Sequence, residues 1–213
     1  MARKSRTTIS QRITSIYVLI ENIKSNESVK TSLFGSGYEE SLFNSGETMY
    51  TEVKDIIAER IKKNKLKLQA SRKVRKLSGQ CFEMLAEHRE FARKVFKDNE
   101  ELLSALGVSQ PLKRRFTGKI EQGIQFYTTA IEYTDVQEGL APLGITLVKL
   151  QQGFDLVKEL SKANAEQEEK KGEVQVLTAR RNKKLEELYA WASNLILVLR
   201  VVYKDEPQTL EQF

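Results

Sequence analysis

Residues 46–95 read GETMYTEVKDIIAERIKKNKLKLQASRKVRKLSGQCFEMLAEHREFARKV, and their periodicity predicts the fold class. Small or apolar residues recur in it every three or four positions, as in Tyr50, Val53, Ile57 and Ile61. This spacing places them on one face of an α-helix. The phase stays nearly constant over the whole stretch, whereas a tight turn would reset it. The pattern therefore favours one long helix with coiled-coil-like packing.

The same pattern occurs a second time in the chain. Residues 6–103 align with residues 113–210 at a constant offset of 107 and without a gap. Identical pairs in this alignment include Gly37 and Gly144, Gly46 and Gly153, Ala58 and Ala165, Glu59 and Glu166, Arg93 and Arg200, Lys97 and Lys204, and Asp98 and Asp205. We therefore expect an internal duplication, with one helical repeat over residues 1–106 and a second over 107–213. The two repeats should be pseudo-symmetric and pack as one structural unit.

Each repeat is predicted to contain a helix of about 17 residues, a short segment that ends in glycine, and a periodic segment of about 60 residues. A helical hairpin remains the alternative for the long segment, because Gly172 and, almost in register, Asn64 tolerate the left-handed end of a helix. The predicted fold class is all-α: an internally duplicated, antiparallel helical bundle with long, partly coiled-coil-like helices.

The composition indicates the cellular compartment of the protein. One cysteine, Cys81, excludes an intramolecular disulfide and fits a reducing environment. The most apolar stretch, residues 195–202, is interrupted by Arg200 and is far shorter than the ~20 residues that span a bilayer. The basic start of the chain, residues 1–6, leads into an amphipathic helical pattern and not into a secretory core. We expect a cytoplasmic protein without a transmembrane segment.

No pattern of catalytic residues stands out. The single histidine, His88, excludes a site with several histidine ligands, and no Glu-x-x-His pair for a di-iron bundle is present. His88 and Cys81 lie on the apolar seam of the long helix, where a core histidine and an inert buried thiol are expected. The glycines form neither a phosphate loop nor a dinucleotide fingerprint. We therefore expect no enzyme activity, no metal, no cofactor and no small-molecule substrate.

The distribution of charge is the one sequence feature that indicates a possible binding function. The net charge of +6 lies in the first repeat, which holds 20 basic and 14 acidic residues. Nine cations occur without an acid between Glu59 and Glu83: Arg60, Lys62, Lys63, Lys65, Lys67, Arg72, Lys73, Arg75 and Lys76. Such a segment can attract a polyanion. At ~100° per residue, however, the nine spread around the helix, and they can also pair with Glu166, Glu168 and Glu169 of the second repeat.

The C-terminal part of the chain resembles a known group of proteins. The residues that carry the resemblance are Lys171-Gly172-Glu173-Val174-Gln175, Thr178, Arg180, Leu185, Leu188, Trp191, Leu199-Arg200 and Asp205 to Glu211. They look like an uncharacterised group of bacterial helical-bundle proteins that have a tryptophan-bearing helix and an Asp-x-Pro-Gln-x-Leu-Glu ending. Thr209 stands where that group has leucine. The resemblance implies a helical bundle in the bacterial cytoplasm and implies no activity.

Two functions follow from these observations. The first is a non-enzymatic structural or interaction protein, whose exposed apolar residues near Trp191 or the C-terminal tail meet a protein partner or a second copy. The alternative is polyanion binding, to DNA or RNA, through residues 60–76. The first is favoured, because aromatic residues for base stacking are scarce near the basic segment.

Overall fold

The computed structural model describes residues 7–210, and most of these residues are helical. No strand occurs in this range, so the all-α prediction is confirmed. Residues 1–6, which form the basic start, and residues 211–213, which include Glu211 of the resembled ending, lie outside the described residues. None of the described helices combines the length and the apolar character that a membrane crossing requires.

Two long helices dominate the structure, and each has 56 residues. The helices are α1 (Ile9–Ser25), α2 (Glu27–Gly35), α3 (Glu40–Val95), α4 (Glu100–Ala105), α5 (Phe116–Glu132), α6 (Thr134–Leu140), α7 (Leu147–Val202) and α8 (Pro207–Leu210), with a 3-10 turn at Ala141–Leu143. The prediction of one continuous helix is confirmed in both halves, and the hairpin alternative is wrong. Asn64 and Gly172 lie inside α3 and α7, where i to i−4 hydrogen bonds continue past them.

Local sequence signals explain where the shorter helices begin and end. Thr8 caps α1: its Oγ1 accepts from the Gln11 amide at 3.2 Å, and its own amide donates to Gln11 Oε1 at 2.8 Å. Gly37 and Gly144 precede the long helices with φ of 91° and 76°, in the left-handed region that glycine reaches without steric cost. The glycine-containing breaks predicted from the sequence therefore fall at the observed turns.

The chain divides into two compact units, and each takes residues from both predicted repeats. The first unit comprises residues 7–62 and 174–210 of the described range, and the second comprises residues 63–173. This division by contact differs from the division by repeat at residue 106, which stays a prediction about the sequence. Since α3 and α7 run through both units, each long helix supplies side chains to two cores.

In the first unit, α1, α2 and residues 40–62 of α3 pack with residues 174–202 of α7. The α3 and α7 segments are antiparallel, because Glu52 pairs with Lys184 while Leu42 bonds Trp191 further along α7. Trp191 is buried, and its Nε1 donates to the Leu42 carbonyl at 2.9 Å. Its ring lies where a Cβ of Gly46 would stand, so glycine is required for this close approach.

In the second unit, residues 63–95 of α3 pack with α4, α5, α6 and residues 147–173 of α7. The two long segments are again antiparallel: Lys63 pairs with Glu173 at 2.9 Å, and Gln167 Nε2 donates to Ser71 Oγ at 3.0 Å. The core contains Leu85, Phe126 and Leu150, each with no exposed surface. The antiparallel packing of long helices predicted from the sequence is therefore observed in each unit.

Candidate functional sites

The basic segment of α3 divides by burial into two sets. Arg60, Lys63 and Lys67 are half-buried on the side of α3 that faces its core. The exposed set consists of Lys62, Lys65, Arg72, Lys73, Arg75 and Lys76. Arg60 and Lys62 belong to the first unit and the other seven cations to the second. The nine residues predicted as a polyanion site thus do not form one equivalent set.

Two of the three half-buried cations, Arg60 and Lys63, form polar contacts within their own units. Arg60 Nε donates to Thr178 Oγ1 at 2.8 Å, and Lys63 Nζ lies 2.9 Å from Glu173 Oε2. The pKa of the Glu173 carboxyl lies below its usual value because Lys170 and then Lys63 donate hydrogen bonds to it. These contacts hold α3 against α7 and leave neither cation free for a ligand.

The predicted pairing with the acids of the second repeat is only partly observed. Lys73 Nζ lies 3.9 Å from Glu166 Oε2 and 4.0 Å from Glu159 Oε1, at the outer limit of an ion pair. Glu168 and Glu169 pair within α7 instead, with Lys171 and Lys170. Exposed pairs of this kind contribute at most ~1 kcal/mol each.

A cationic face remains on α3 in the second unit. Lys65, Arg72 and Lys76 fall within about 40° of one another on the helix and span about 16 Å. None of the three has an ion pair or a hydrogen bond with another described residue. Arg75 flanks them, and the nearest carboxylate of α3 on the C-terminal side is Glu83. This face, Lys65/Arg72/Lys76, can attract phosphate groups.

The residues predicted to be inert are buried in the second unit. His88 Nδ1 lies 3.2 Å from the Tyr127 hydroxyl, and Cys81 is 1% exposed. Burial lowers the pKa of His88, so its imidazole is neutral at pH 7. Burial also raises the pKa of the Cys81 thiol to about 11, which leaves little nucleophilic thiolate. The buried histidine and buried thiol expected from the apolar seam are confirmed.

A buried arginine next to His88 was not predicted from the sequence. Arg89 is 2% exposed, and its two Nη atoms donate to the carbonyl oxygens of Gly107 and Gln110, both at 2.8 Å. Burial and the neighbouring Arg93 lower the pKa of Arg89 to about 10, so the guanidinium stays charged at pH 7. Arg93 adds bonds to the Val108 and Gln110 carbonyls. The two arginines therefore fix residues 107–110.

An apolar groove in the first unit was not predicted from the sequence either. The groove has a volume of about 470 Å³ and lies between α1 and α3, with one residue of α7 at its rim. Its lining residues are Ile9, Ser10, Ile13, Thr14, Tyr50, Lys54, Ile57, Ala58, Ile61 and Arg181. Ile9 is 41% exposed and Ile61 is 63% exposed, so the groove is open to solvent along its edges.

Two cations lie at this groove. Lys54 Nζ is 5.5 Å from the centroid of the Tyr50 ring, which in turn stacks on Tyr17. Arg181 is half-buried, and among the described residues its guanidinium donates only to Asn182 Oδ1, the side chain next to it in sequence. Burial, together with the nearby charge of Arg60, lowers the pKa of Arg181. No carboxylate of the described residues lies within ion-pair distance of Lys54 or Arg181.

The sequence pattern indicates the groove only weakly. Tyr50, Ile57 and Ile61 belong to the periodic seam of α3, and periodicity alone does not tell a covered apolar residue from an exposed one.

In the part of the chain that the structure describes, no three His, Cys, Asp or Glu side chains come together in an arrangement that could hold a metal.

Comparisons with known proteins give no match: no protein-family model, curated protein or solved structure is similar to this chain.

Proposed function

We propose that the protein is a non-enzymatic interaction protein, a helical scaffold that binds another protein through apolar surface that its own cores leave open. The observation that carries this proposal is the groove of the first unit, where Ile9 and Ile61 remain exposed beside a well-packed core. An apolar groove between two helices is the surface that binds amphipathic helices in many complexes.

Other surfaces proposed from the sequence support this function less. Trp191 is buried in its own unit and is not part of an open surface. Near it, Leu197 and Val201 are 61% and 71% exposed on one face of α7. A second copy of the chain as the partner remains part of the proposal.

Photo-cross-linking in the cells that express the protein tests this function. A benzophenone amino acid replaces Ile61 in the groove, and in a matched control it replaces Val176, which is 68% exposed in the same unit but does not line the groove. We expect an adduct of higher mass from position 61 and none from position 176. Absence of an adduct at position 61, or equal yields at both positions, would contradict the proposal.

A second candidate function is polyanion binding, and the cationic face Lys65/Arg72/Lys76 favours it. The test is fluorescence anisotropy of a labelled DNA duplex at about 50 and 200 mM salt, because release of counterions makes phosphate binding strongly salt-dependent. Changing these three residues to Glu should weaken binding at least tenfold. The matched control changes three exposed cations of the first unit, Arg180, Lys183 and Lys204, to Glu. Equal losses in both variants would leave only an unspecific charge effect.

The internal duplication is also a proposal, and pairs of contacts 107 residues apart support it. The bounds of α1 and α5, and those of α3 and α7, differ by 107 at both ends. The Arg60–Thr178 bond has its counterpart in Gln167–Ser71, and the Arg12 contact with the Tyr189 ring has its counterpart in Lys119 and Phe82. An experimental structure in which these helix bounds differ between the halves would contradict it.

We further propose a bacterial cytoplasmic location and kinship with the bacterial helical-bundle group. The single cysteine, Cys81, and the residues around Trp191 support these assignments. Fractionation of the producing cells, with recovery of the protein in the membrane or secreted fraction, would contradict the location.

A further inference from the structure

The two charged side chains that line the groove of the first unit, Lys54 and Arg181, are both cationic. Lys54 lies on the α3 wall and Arg181 lies at the α7 rim, with Arg60 close enough to Arg181 for their charges to interact. Arg60 itself bonds the neutral hydroxyl of Thr178. The positive charge at this rim is therefore not neutralised by an ion pair with a carboxylate among the described residues.

The acidic residues of α1 and α3 either lie away from the groove or are paired elsewhere. On α3, Asp55 and Glu59 are about 100° or more around the helix from the groove-lining Tyr50, Ile57 and Ile61. Glu47 is paired with Lys24 at 2.7 Å. On α1, no acid occurs before Glu21. The charge of this surface is thus complementary to an anionic ligand.

The shape of the groove suits a helix. The α3 wall runs from Tyr50 to Ile61, which is about 16 Å or three helical turns. Its apolar side chains sit at the spacing of a helix packing surface, and α1 forms the facing wall with Ile9 and Ile13. A third helix lying between the two walls would cover Ile9 and Ile61.

We propose that this groove binds an acidic amphipathic helix of a partner protein. The apolar residues of that helix, at positions i, i+3 or i+4, and i+7, lie between Ile13 and Ile57, and its Asp or Glu side chains pair with Lys54 and Arg181. This inference rests on the proposed interaction function and adds the chemistry of the partner.

Three labelled 16-residue helical peptides test the charge preference on the full chain. They share Leu at positions i, i+4, i+7 and i+11 and carry Glu, Gln or Lys at the flanking polar positions. We expect the Glu peptide to bind about five- to tenfold tighter than the Gln peptide at 50 mM salt, because two partly exposed ion pairs are gained. The preference should shrink at 500 mM salt as the pairs are screened. The Lys peptide should bind most weakly. Fluorescence anisotropy gives the Kd values.

Two double variants separate this site from a general effect of net charge. Lys54→Gln with Arg181→Gln should bring the Glu peptide to the affinity of the Gln peptide. Arg180→Gln with Lys183→Gln removes the same charge from exposed positions of α7 and should leave the preference intact. Ile61→Asp should weaken the Glu and Gln peptides, and circular dichroism checks that each variant is folded.

The outcomes distinguish the inference from the function on which it rests. Equal binding of the Glu and Gln peptides, or a preference that survives in the Lys54/Arg181 variant, overturns the acidic-helix inference. Lack of binding by all three peptides overturns it too. In each case an adduct at position 61 in the cross-linking experiment would keep the interaction function, whereas its absence would remove that function as well.

Discussion

The two units have similar helices but different cores. In the first unit, the buried residues among those described are apolar, and the indole of Trp191 bonds a main-chain carbonyl. In the second, His88, Arg89 and Gln122 are buried as well. Residues 107 positions on from His88 and Arg89 are Leu195 and Ile196. One helical pattern therefore accommodates either an apolar or a polar core at the same helical positions.

The buried polar side chains of the second unit stabilise the connection between α4 and α5. Residues 106–115 contain no helix, so their main-chain groups need other partners. Arg89 and Arg93 donate to carbonyls of residues 107–110, and Gln122 Oε1 accepts from the Lys113 amide at 2.7 Å. The buried charge of Arg89 thus stabilises the main chain of an irregular segment.

The largest expected effect comes from Arg89→Met. The change removes the only side-chain donor to Gly107 O among the described residues and one of two donors to Gln110 O. Because a buried polar group left unpaired costs ~1–3 kcal/mol, we expect a loss of about 3 kcal/mol in the free energy of unfolding. Urea denaturation followed by circular dichroism measures it. Ile196→Met in the first unit is the control and should cost less than ~1.5 kcal/mol. Similar losses in both variants would show that the buried Arg89 stabilises the second unit no more than Ile196 stabilises the first.

Gly46→Ala and Gly153→Ala should each cost about 1–3 kcal/mol through overpacking. A Cβ at residue 46 would meet the Trp191 ring, and one at residue 153 would meet the Tyr127 ring. Only the first change should alter the emission of Trp191, the single tryptophan of the chain. Gly79→Ala, with nothing near the new methyl group, is the control and should not destabilise. A tolerated Gly46→Ala would show that the close approach at Trp191 is not needed.

A smaller, pH-dependent effect should come from His88. Its folded pKa lies below the ordinary value of 6.5, mainly because of burial. The unfolded chain therefore binds a proton at a higher pH than the folded chain does. The stability that the neutral imidazole contributes is complete above pH 6.5 and declines as the pH falls from there towards the folded pKa. Unfolding free energies at pH 7.5 and 5.5 should differ less in His88→Leu than in the parent chain. An unchanged difference would contradict this.

The smallest expected effect is a gain. Gly172 lies in the interior of α7 with no atom within 4 Å of the position of a new Cβ. Alanine there should raise the free energy of unfolding by about 0.5–1 kcal/mol, because glycine is a poor helix former. Thermal and urea unfolding measure the gain. A loss of stability would point to the left-handed turn of the hairpin alternative and so against a continuous α7.

Periodicity predicted most of the fold, because the constant phase around Ile57 and Val74 depends only on local helix geometry. The turns at Gly37 and Gly144 could also be predicted, because they depend on the conformational freedom of the glycine at each position. The burial of Arg89 could not be predicted, since its partners at Gly107 and Gln110 come together with it only in the folded chain. The groove could not be predicted either, because whether a seam residue such as Ile61 is covered depends on which helix lies over it.

Because the chain is synthesised from its N-terminus, the two units can complete their cores at different times. The second unit is one uninterrupted stretch, so all of its core residues are present once residue 173 has been synthesised. The first unit begins earlier in the sequence but also needs residues 174–210. The apolar side chains of Ile16, Ile20 and Leu33 therefore cannot be buried in its core until Leu188 and Leu195 have been synthesised. Contacts over such sequence separations form slowly and leave apolar surface exposed meanwhile. A ribosome that stalls late in this message would thus release a chain with one finished core and one that is open to aggregation.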